Sequence, residues 1–181
     1  PWTTHLYNND PKHLTFSLSR YKFVSKILNN YQSILEIGCG DAFGSMILSS
    51  SQEYIGIDID DYVISDNVER YKKLSTKATF LEHDILQSPL NKKSECAFSL
   101  DVIEHIEPKD NSNFILNIKK SVSNGPILIG TPNIYSQEYA SEYSKESHIN
   151  LHSLESLSSP LSDFYNDVFE FGMNDEVVHT G

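Results

Sequence analysis

Residues 33–45 read SILEIGCGDAFGS, and the reading of this stretch decides the fold. Ile34, Leu35 and Ile37 form a short apolar run of the kind that fills a strand buried on both faces. The run stops at Gly38-Cys39-Gly40, and a third glycine, Gly44, opens the next segment. Glycine admits positive φ and lets a ligand approach the main chain with no Cβ in the way. With a helix expected over residues 43–50, unpaired N–H groups would point at whatever lies above the loop. Strand, glycine turn and helix in that order make a seat for a nucleoside-like ligand.

Spacing narrows the ligand. A dinucleotide fingerprint is G-x-G-x-x-G with an acidic residue about 20 positions on for the ribose. Here the third glycine comes one residue late, and Glu36 stands two residues before the first. Asp58 ends the next apolar run, EYIGID, at the distance that suits ribose hydroxyls. An acidic residue, G-x-G and an acidic end to the second strand together resemble the class I S-adenosylmethionine-dependent methyltransferases. The resemblance implies that Glu36, Gly38, Cys39 and Gly40 bracket the methionine part of S-adenosylmethionine, with Glu36 facing its amino group directly or through water. It further implies that Asp58 binds the ribose, that Ile59 packs on the adenine, and that S-adenosylhomocysteine is the product.

Two later segments extend the resemblance. Asp84 follows the expected third strand, ATFLE, where the family meets the adenine amino group, and the Ile85 N–H would face a ring nitrogen. Residues 99–106, SLDVIEHI, resemble the end of strand four in the small-molecule branch, which includes quinone and sugar methyltransferases. On that footing Asp101 meets the methionine amino group, Val102 and Ile103 line the pocket, and Glu104-His105 stands on the acceptor side. His105 is a candidate general base because an imidazole titrates near neutral pH. His148 and His152 in SHINLH compete for the role, His148 being the stronger because the loop after strand five closes over the acceptor in relatives. Glu104 and the histidines lack a compact ligand spacing, so no metal is expected. Thr131-Pro132-Asn133 would shape the acceptor pocket.

Alternating strand and helix patterns along the chain imply a doubly wound, mostly parallel sheet in three αβα layers. Residues 2–12 are polar and turn-rich, with no regular structure expected. An amphipathic helix is expected from His13 to Leu28, placing Arg20 and Tyr21 within reach of the methionine end of the cofactor. Strands are expected at 53–58, 78–82, 96–100 and 127–132, with helices at 61–74, 108–122 and 151–161. Residues 135–150 read as a flap or short helix over the site. Residues 168–173, VFEFGM, have the character of a sixth strand, and a seventh strand is missing or cut. Residues 174–181, including Asn174, Asp175 and His179, form a possible pocket edge.

The whole of 1–181 reads as one domain: a lid segment and helix over 1–30, a cofactor-binding core over 31–134, and an acceptor-side flap with the last strand over 135–181. A start at Pro1 and an abrupt end at Gly181 suggest a piece of a longer chain. A formal net charge of −11 at pH 7 speaks against non-specific nucleic-acid or anionic-membrane binding. No apolar run reaches the roughly 18–20 residues of a spanning helix. Cys39 and Cys96 read as free thiols in a reducing cytoplasm. The expected activity is O-methylation of a small hydroxylated metabolite, such as a sugar or nucleotide-sugar of surface-polysaccharide synthesis. For a diphosphate-bearing acceptor, Lys12, Arg20, Lys109 or Lys145 would supply local positive charge, and a homodimer is left open. Competing classes are a nicotinamide-dependent oxidoreductase, disfavoured by the late glycine and by Glu36, and a non-catalytic S-adenosylmethionine-binding module.

Overall fold

The computed structural model describes residues 2–48, 50, 52–74 and 77–173. Five strands, β1 (Ser33–Ile37), β2 (Glu53–Asp58), β3 (Ala78–Glu82), β4 (Cys96–Leu100) and β5 (Ile127–Gly130), form one sheet in the order β3-β2-β1-β4-β5. Every pairing is parallel. β1 is therefore central, and the chain reverses its direction of travel across the sheet between β1 and β4. In open α/β sheets the crevice at such a switch point, outside the carboxyl ends of the strands, is where ligands bind. Here it gathers the glycine loop after β1, Asp58 at the end of β2 and Asp101 after β4.

Side-chain alternation along the strands divides the core into two layers. On one face Ile34, Tyr54, Phe80 and Phe98 pack with Tyr21, Val24 and Leu28, and with Ile64 and Tyr71. The first group of partners comes from helix α2 (Pro11–Ile27) and its C-cap, the second from α3 (Asp61–Tyr71). On the other face Leu35, Ile37, Ile55, Ile57 and Ala97 pack with Phe114, Ile115 and Ile118 of α4 (Asn111–Ser121). Two further helices, α5 (Glu142–Ser147) and α6 (Leu154–Leu161), follow β5, and Leu157 and Leu161 extend the second layer. The three-layer doubly wound fold expected from the sequence is the one observed.

Local chemistry sets the helix ends. Asp10 accepts a hydrogen bond from the His13 N–H with Pro11 in the first turn, and Asp60 caps α3 through the N–H groups of Tyr62 and Val63. Three expectations fail. Residues 2–9, expected to be irregular, form helix α1 (Trp2–Asn9). Its first turn is capped from across the fold: the N–H and hydroxyl of Thr3 both donate to Asp41 Oδ2 at 2.8 and 2.6 Å, and Leu6 is buried. A polar local sequence cannot announce a cap that arrives from the glycine loop.

The helix expected over 43–50 is a single 3₁₀ turn, Phe43–Ile47, after which Leu48 is extended. Gly44 and Ser45 are poor helix formers, and the Ser45 hydroxyl bonds back to the Ala42 carbonyl at 2.7 Å. So short a turn offers no helix N-terminus to a ligand. Residues 168–173 are irregular, not a sixth strand; Phe171 instead meets Phe23 edge to face with centroids 5.2 Å apart. The proposed flap is partly ordered, holding a 3₁₀ helix (Ile134–Tyr139) and α5. Residues 174–181 lie outside the described residues.

Gly44 has the most exacting packing in this region. A Cβ there would lie 2.3 Å from three ring atoms of Tyr21, which itself packs edge to face on Phe43 and Phe98. Gly44→Ala is expected to lower the unfolding free energy by about 1–3 kcal/mol, the usual cost of overpacking. Urea denaturation would show this, and an unchanged midpoint would contradict the packing described.

Candidate active site

The glycine loop is held from three sides. Gly38 and Cys39 both donate their N–H groups to the Ile57 carbonyl, at 2.9 and 3.0 Å, which ties the loop to β2. Gly38 and Gly40 have φ of +71° and +50°, values that favour glycine. A Cβ on Gly38 would strike Val102 Cγ2 at 2.3 Å, so the loop and the segment after β4 touch at van der Waals contact. From α3, Asn67 donates to the Gly40 carbonyl at 2.7 Å and Arg70 to the Asp41 carbonyl at 2.6 Å. With its carbonyls satisfied from behind, the loop presents open space in front: nothing lies within 4 Å of a Cβ built on Gly40.

Beneath the loop sits Glu36, fully buried. Its Oε1 accepts from the Tyr21 hydroxyl at 2.6 Å and its Oε2 from the Tyr54 hydroxyl. Burial pushes its pKa up to about 8, although both hydroxyl bonds favour the carboxylate and oppose the shift. Sequence reasoning placed Glu36 against the cofactor. In the fold its two oxygens are engaged by tyrosines from α2 and β2, and Tyr21 likewise turns to Glu36. The signal that could have found this is the pair of tyrosines at inward positions of amphipathic segments, since a buried phenol usually finds a partner.

On the β2 side, Asp58 Oδ2 accepts from the Gly40 N–H at 2.9 Å and Oδ1 from the Asp60 N–H at 3.1 Å. The carboxylate is thus fixed at the lip of the loop and remains half-buried, with lone pairs to spare. Beside it Ile59 is 72% exposed, an apolar side chain with no protein cover. Asp84 accepts from the Leu86 N–H and from the Gln87 amide, both at 2.9 Å, and so caps its own turn. Ile85 is buried, and its carbonyl takes the Asn117 amide at 2.7 Å.

After β4 the chain turns sharply, with Asp101 at φ +55° and its N–H on the Gly130 carbonyl at 2.9 Å. The Asp101 carboxylate forms an ion pair with Arg20 of α2. Two residues placed separately at the methionine end by sequence reasoning are therefore partners. Glu104 is fully buried: Thr131 donates to Oε2 at 3.0 Å, and Oε1 has no hydrogen-bond partner. Burial, with the charge of Asp101 nearby, lifts its pKa to about 7.

His105 is exposed and lies with Nε2 4.0 Å from Glu104 Oε1, its Nδ1 3.0 Å from the Ser147 carbonyl. His148 meets it edge to face, the ring centroids 5.1 Å apart. The His148 loop is riveted in place: the N–H groups of Ile149 and Asn150 donate to the Glu104 carbonyl at 2.9 and 3.0 Å, and the Asn150 amide reaches the Ile103 carbonyl. Burial and the neighbouring His105 lower the His148 pKa, with Asp101 opposing. His152 stays apart, buried beside α6 with Nδ1 3.2 Å from the Ser156 hydroxyl. Glu104, His105 and His148, read from the sequence as scattered, converge so that one ligand atom of each lies within 4.8 Å of the others.

Residues 34–125, just over half of the chain, match the family model described as a methyltransferase domain. The chain belongs to that family. Among solved structures, the methyltransferase domain of bacterial CtHen1 superposes with a TM-score of 0.70 at 16% identity, covering 82% of each chain. The plantazolicin methyltransferase BpumL, solved with S-adenosylhomocysteine, gives 0.69 at 21% identity over 90% of this chain and 67% of its own. The N-methyltransferase NodS of Bradyrhizobium japonicum gives 0.66 at 17%, covering 86% and 84%. No curated protein matches the sequence. The methyltransferase thus has the class I, Rossmann-like fold, with S-adenosylmethionine as its cofactor. The open cradle at Gly40, the fixed Asp58 and the uncovered Ile59 fit a nucleoside there. Among the described residues no helix is long and apolar enough to cross a membrane.

The Glu36 arrangement carries a pH signature. The native state holds the Glu36 proton more tightly than the unfolded chain. That contribution is complete below the ordinary carboxyl value and is lost as pH rises through about 8. Glu104 adds a slope of the same sign. Wild-type unfolding free energy should therefore fall between about pH 5 and about pH 9 more steeply than that of Glu36→Gln. Urea titrations across that range would check this, and parallel curves would refute it.

Proposed function

We propose that this methyltransferase transfers the methyl group of S-adenosylmethionine to a hydroxyl of a small polar metabolite, with a sugar or nucleotide-sugar of surface-polysaccharide synthesis as the acceptor class. The observation that carries the hydroxyl acceptor is the meeting of Glu104, His105 and His148 beside Asp101 and Val102. A hydroxyl must shed its proton as it attacks a sulfonium methyl, and this is a cluster of proton-accepting groups at the end of β4.

S-adenosylmethionine supplies an activated methyl and its own leaving group, so the chain has mainly to align the acceptor and receive a proton. Asp58 holds the ribose hydroxyls, with Ile59 against the adenine and Asp84 and Ile85 at its edge. Gly38, Cys39 and Gly40 bring backbone against the methionine part, while Val102 closes its flank. Glu36 acts mainly from beneath, keeping the loop in shape through Tyr21 and Tyr54 and reaching the amino group at most through water. Arg20 and Asp101 form a plus–minus pair that suits the carboxylate and ammonium of an amino acid. His105 and His148 stand on the acceptor side and receive the hydroxyl proton.

Charge near the site limits the acceptor. Arg20 is taken by Asp101 and Lys145 by Glu142 at 3.1 Å, so a diphosphate would draw on Lys109 or on an Arg20 released from its partner. Action in the cytoplasm, a single domain over residues 1–181 and a homodimer complete the reading. One of the similar structures is that of an N-methyltransferase, so an amine acceptor is the competing outcome.

Two measurements test this. Asp58→Ala should weaken S-adenosylhomocysteine binding about 10–100-fold by calorimetry, the worth of hydrogen bonds to a charged group; unchanged affinity would remove Asp58 from the ribose. His148→Ala should bind S-adenosylhomocysteine as wild type does, yet turn over hydroxyl acceptors about 100-fold more slowly. Turnover of amines alone across a mixed panel would overturn the hydroxyl assignment.

A further inference from the structure

Glu104 poses a problem that proton transfer alone leaves unsolved. Its side chain has no exposed surface, Thr131 satisfies one oxygen, and Oε1 points without a partner toward two imidazoles. Leaving a buried carboxylate oxygen unmatched is costly, and such groups are normally paired or bound to a cation. His148 Nδ1 is likewise buried without a partner. Two orphaned donors of electron pairs thus belong to one cluster.

The tautomer of His105 can be read from its other nitrogen. A backbone carbonyl only accepts, so Nδ1, 3.0 Å from the Ser147 carbonyl, carries the hydrogen. In the neutral ring Nε2 then bears the lone pair, and it is Nε2 that lies 4.0 Å from Glu104 Oε1. An imidazole that donates one N–H to a carbonyl and offers the other nitrogen is the usual state of a metal-bound histidine. The Thr131 hydroxyl orients Glu104 in the same supporting way. Donors at about 2.1 Å from a shared ion sit about 3–4 Å apart, so the cluster needs only a small inward adjustment.

We propose that Glu104, His105 and His148 form a binding site for one divalent transition-metal ion. Two imidazoles and one carboxylate suit Mn²⁺, Co²⁺, Fe²⁺ or Zn²⁺ better than Mg²⁺ or Ca²⁺, which take oxygen ligands. Three protein ligands leave coordination positions open, and the exposed ring of His105 gives the ion a way in. The ion would lie on the acceptor side of the cofactor cradle, which rests on the functional reading above. There the bound ion would draw in the acceptor hydroxyl and lower its pKa, so that its proton passes to solvent water while the oxygen takes the methyl group and the sulfur leaves as S-adenosylhomocysteine. The two imidazoles then act as ligands, in place of the proton-accepting role given them above. The acceptor class narrows accordingly to hydroxyls able to ligate a metal, such as one of a vicinal pair on a sugar.

The test uses the purified full chain, stripped with chelator, and follows Co²⁺ by visible absorption and Mn²⁺ by paramagnetic resonance. One ion per chain is expected, with Glu104→Gln and His148→Ala each weakening binding at least about 10-fold. The conservative Glu104→Gln keeps the buried shape. Should it fail to fold, His148→Ala, in a loop outside the core, carries the test alone. No binding of either ion up to about 1 mM, or binding that His148→Ala leaves unchanged, would overturn the site. Calorimetry of S-adenosylhomocysteine on the same samples separates the two ideas: cofactor binding without metal sinks only this site, and metal binding without cofactor sinks only the methyl-transfer reading.

Discussion

The site depends on one buried carboxylate. Glu36 lies in the central strand directly below the glycine loop and is gripped by hydroxyls from two different elements, Tyr21 on α2 and Tyr54 on β2. A charge in that position would be expensive in a dry interior, and the shared hydrogen bonds with a raised pKa are how the fold accommodates it. The consequence is geometric. Tyr21 cannot move without disturbing Glu36, and Gly44 exists as glycine because Tyr21 occupies the space above it. Helix α2, the sheet and the loop are locked as one piece, and Arg20, one residue before Tyr21, is delivered to Asp101 as a result.

A second set of constraints holds the loop open. Asn67 and Arg70 draw the Gly40 and Asp41 carbonyls toward α3, while the Ile57 carbonyl takes two N–H groups from the other side. The backbone is therefore committed before any ligand arrives, leaving the space in front of Gly40 and the carboxylate of Asp58 free for recognition. Such preorganisation reduces the ordering that binding must accomplish. The segment after β4 is fixed by the same logic, since the Glu104 carbonyl anchors the loop that carries His148.

Much of this was legible in the sequence, because it is written in local patterns. The alternation of strands and helices gave the sheet, and the glycines with Asp58 located the crevice. What escaped depends on contacts between distant residues. Helix α1 is capped by Asp41 from the glycine loop, and nothing within 2–9 signals it. The helix expected after Gly44 shrank to one turn, where the Ser45 hydroxyl competes for the Ala42 carbonyl. Residues 168–173 have strand-like composition, but they find no partner strand among the described residues and settle by packing Phe171 on Phe23. Glu104-His105 and His148 were legible as neighbours on one side of the crevice, but not their convergence into one compact cluster, since spacing along a chain gives no distance between the end of β4 and a loop returning over it.

In the proposed function the crevice outside β1, β2 and β4 seats S-adenosylmethionine with its reactive end toward the histidines. A crystal structure with S-adenosylhomocysteine bound tests it most directly. Both ribose hydroxyls should lie on Asp58, the adenine against Ile59, backbone of the glycine loop against the methionine part, and the sulfur facing His105 and His148. A ligand elsewhere, or one whose sulfur faces away from both imidazoles, would contradict it.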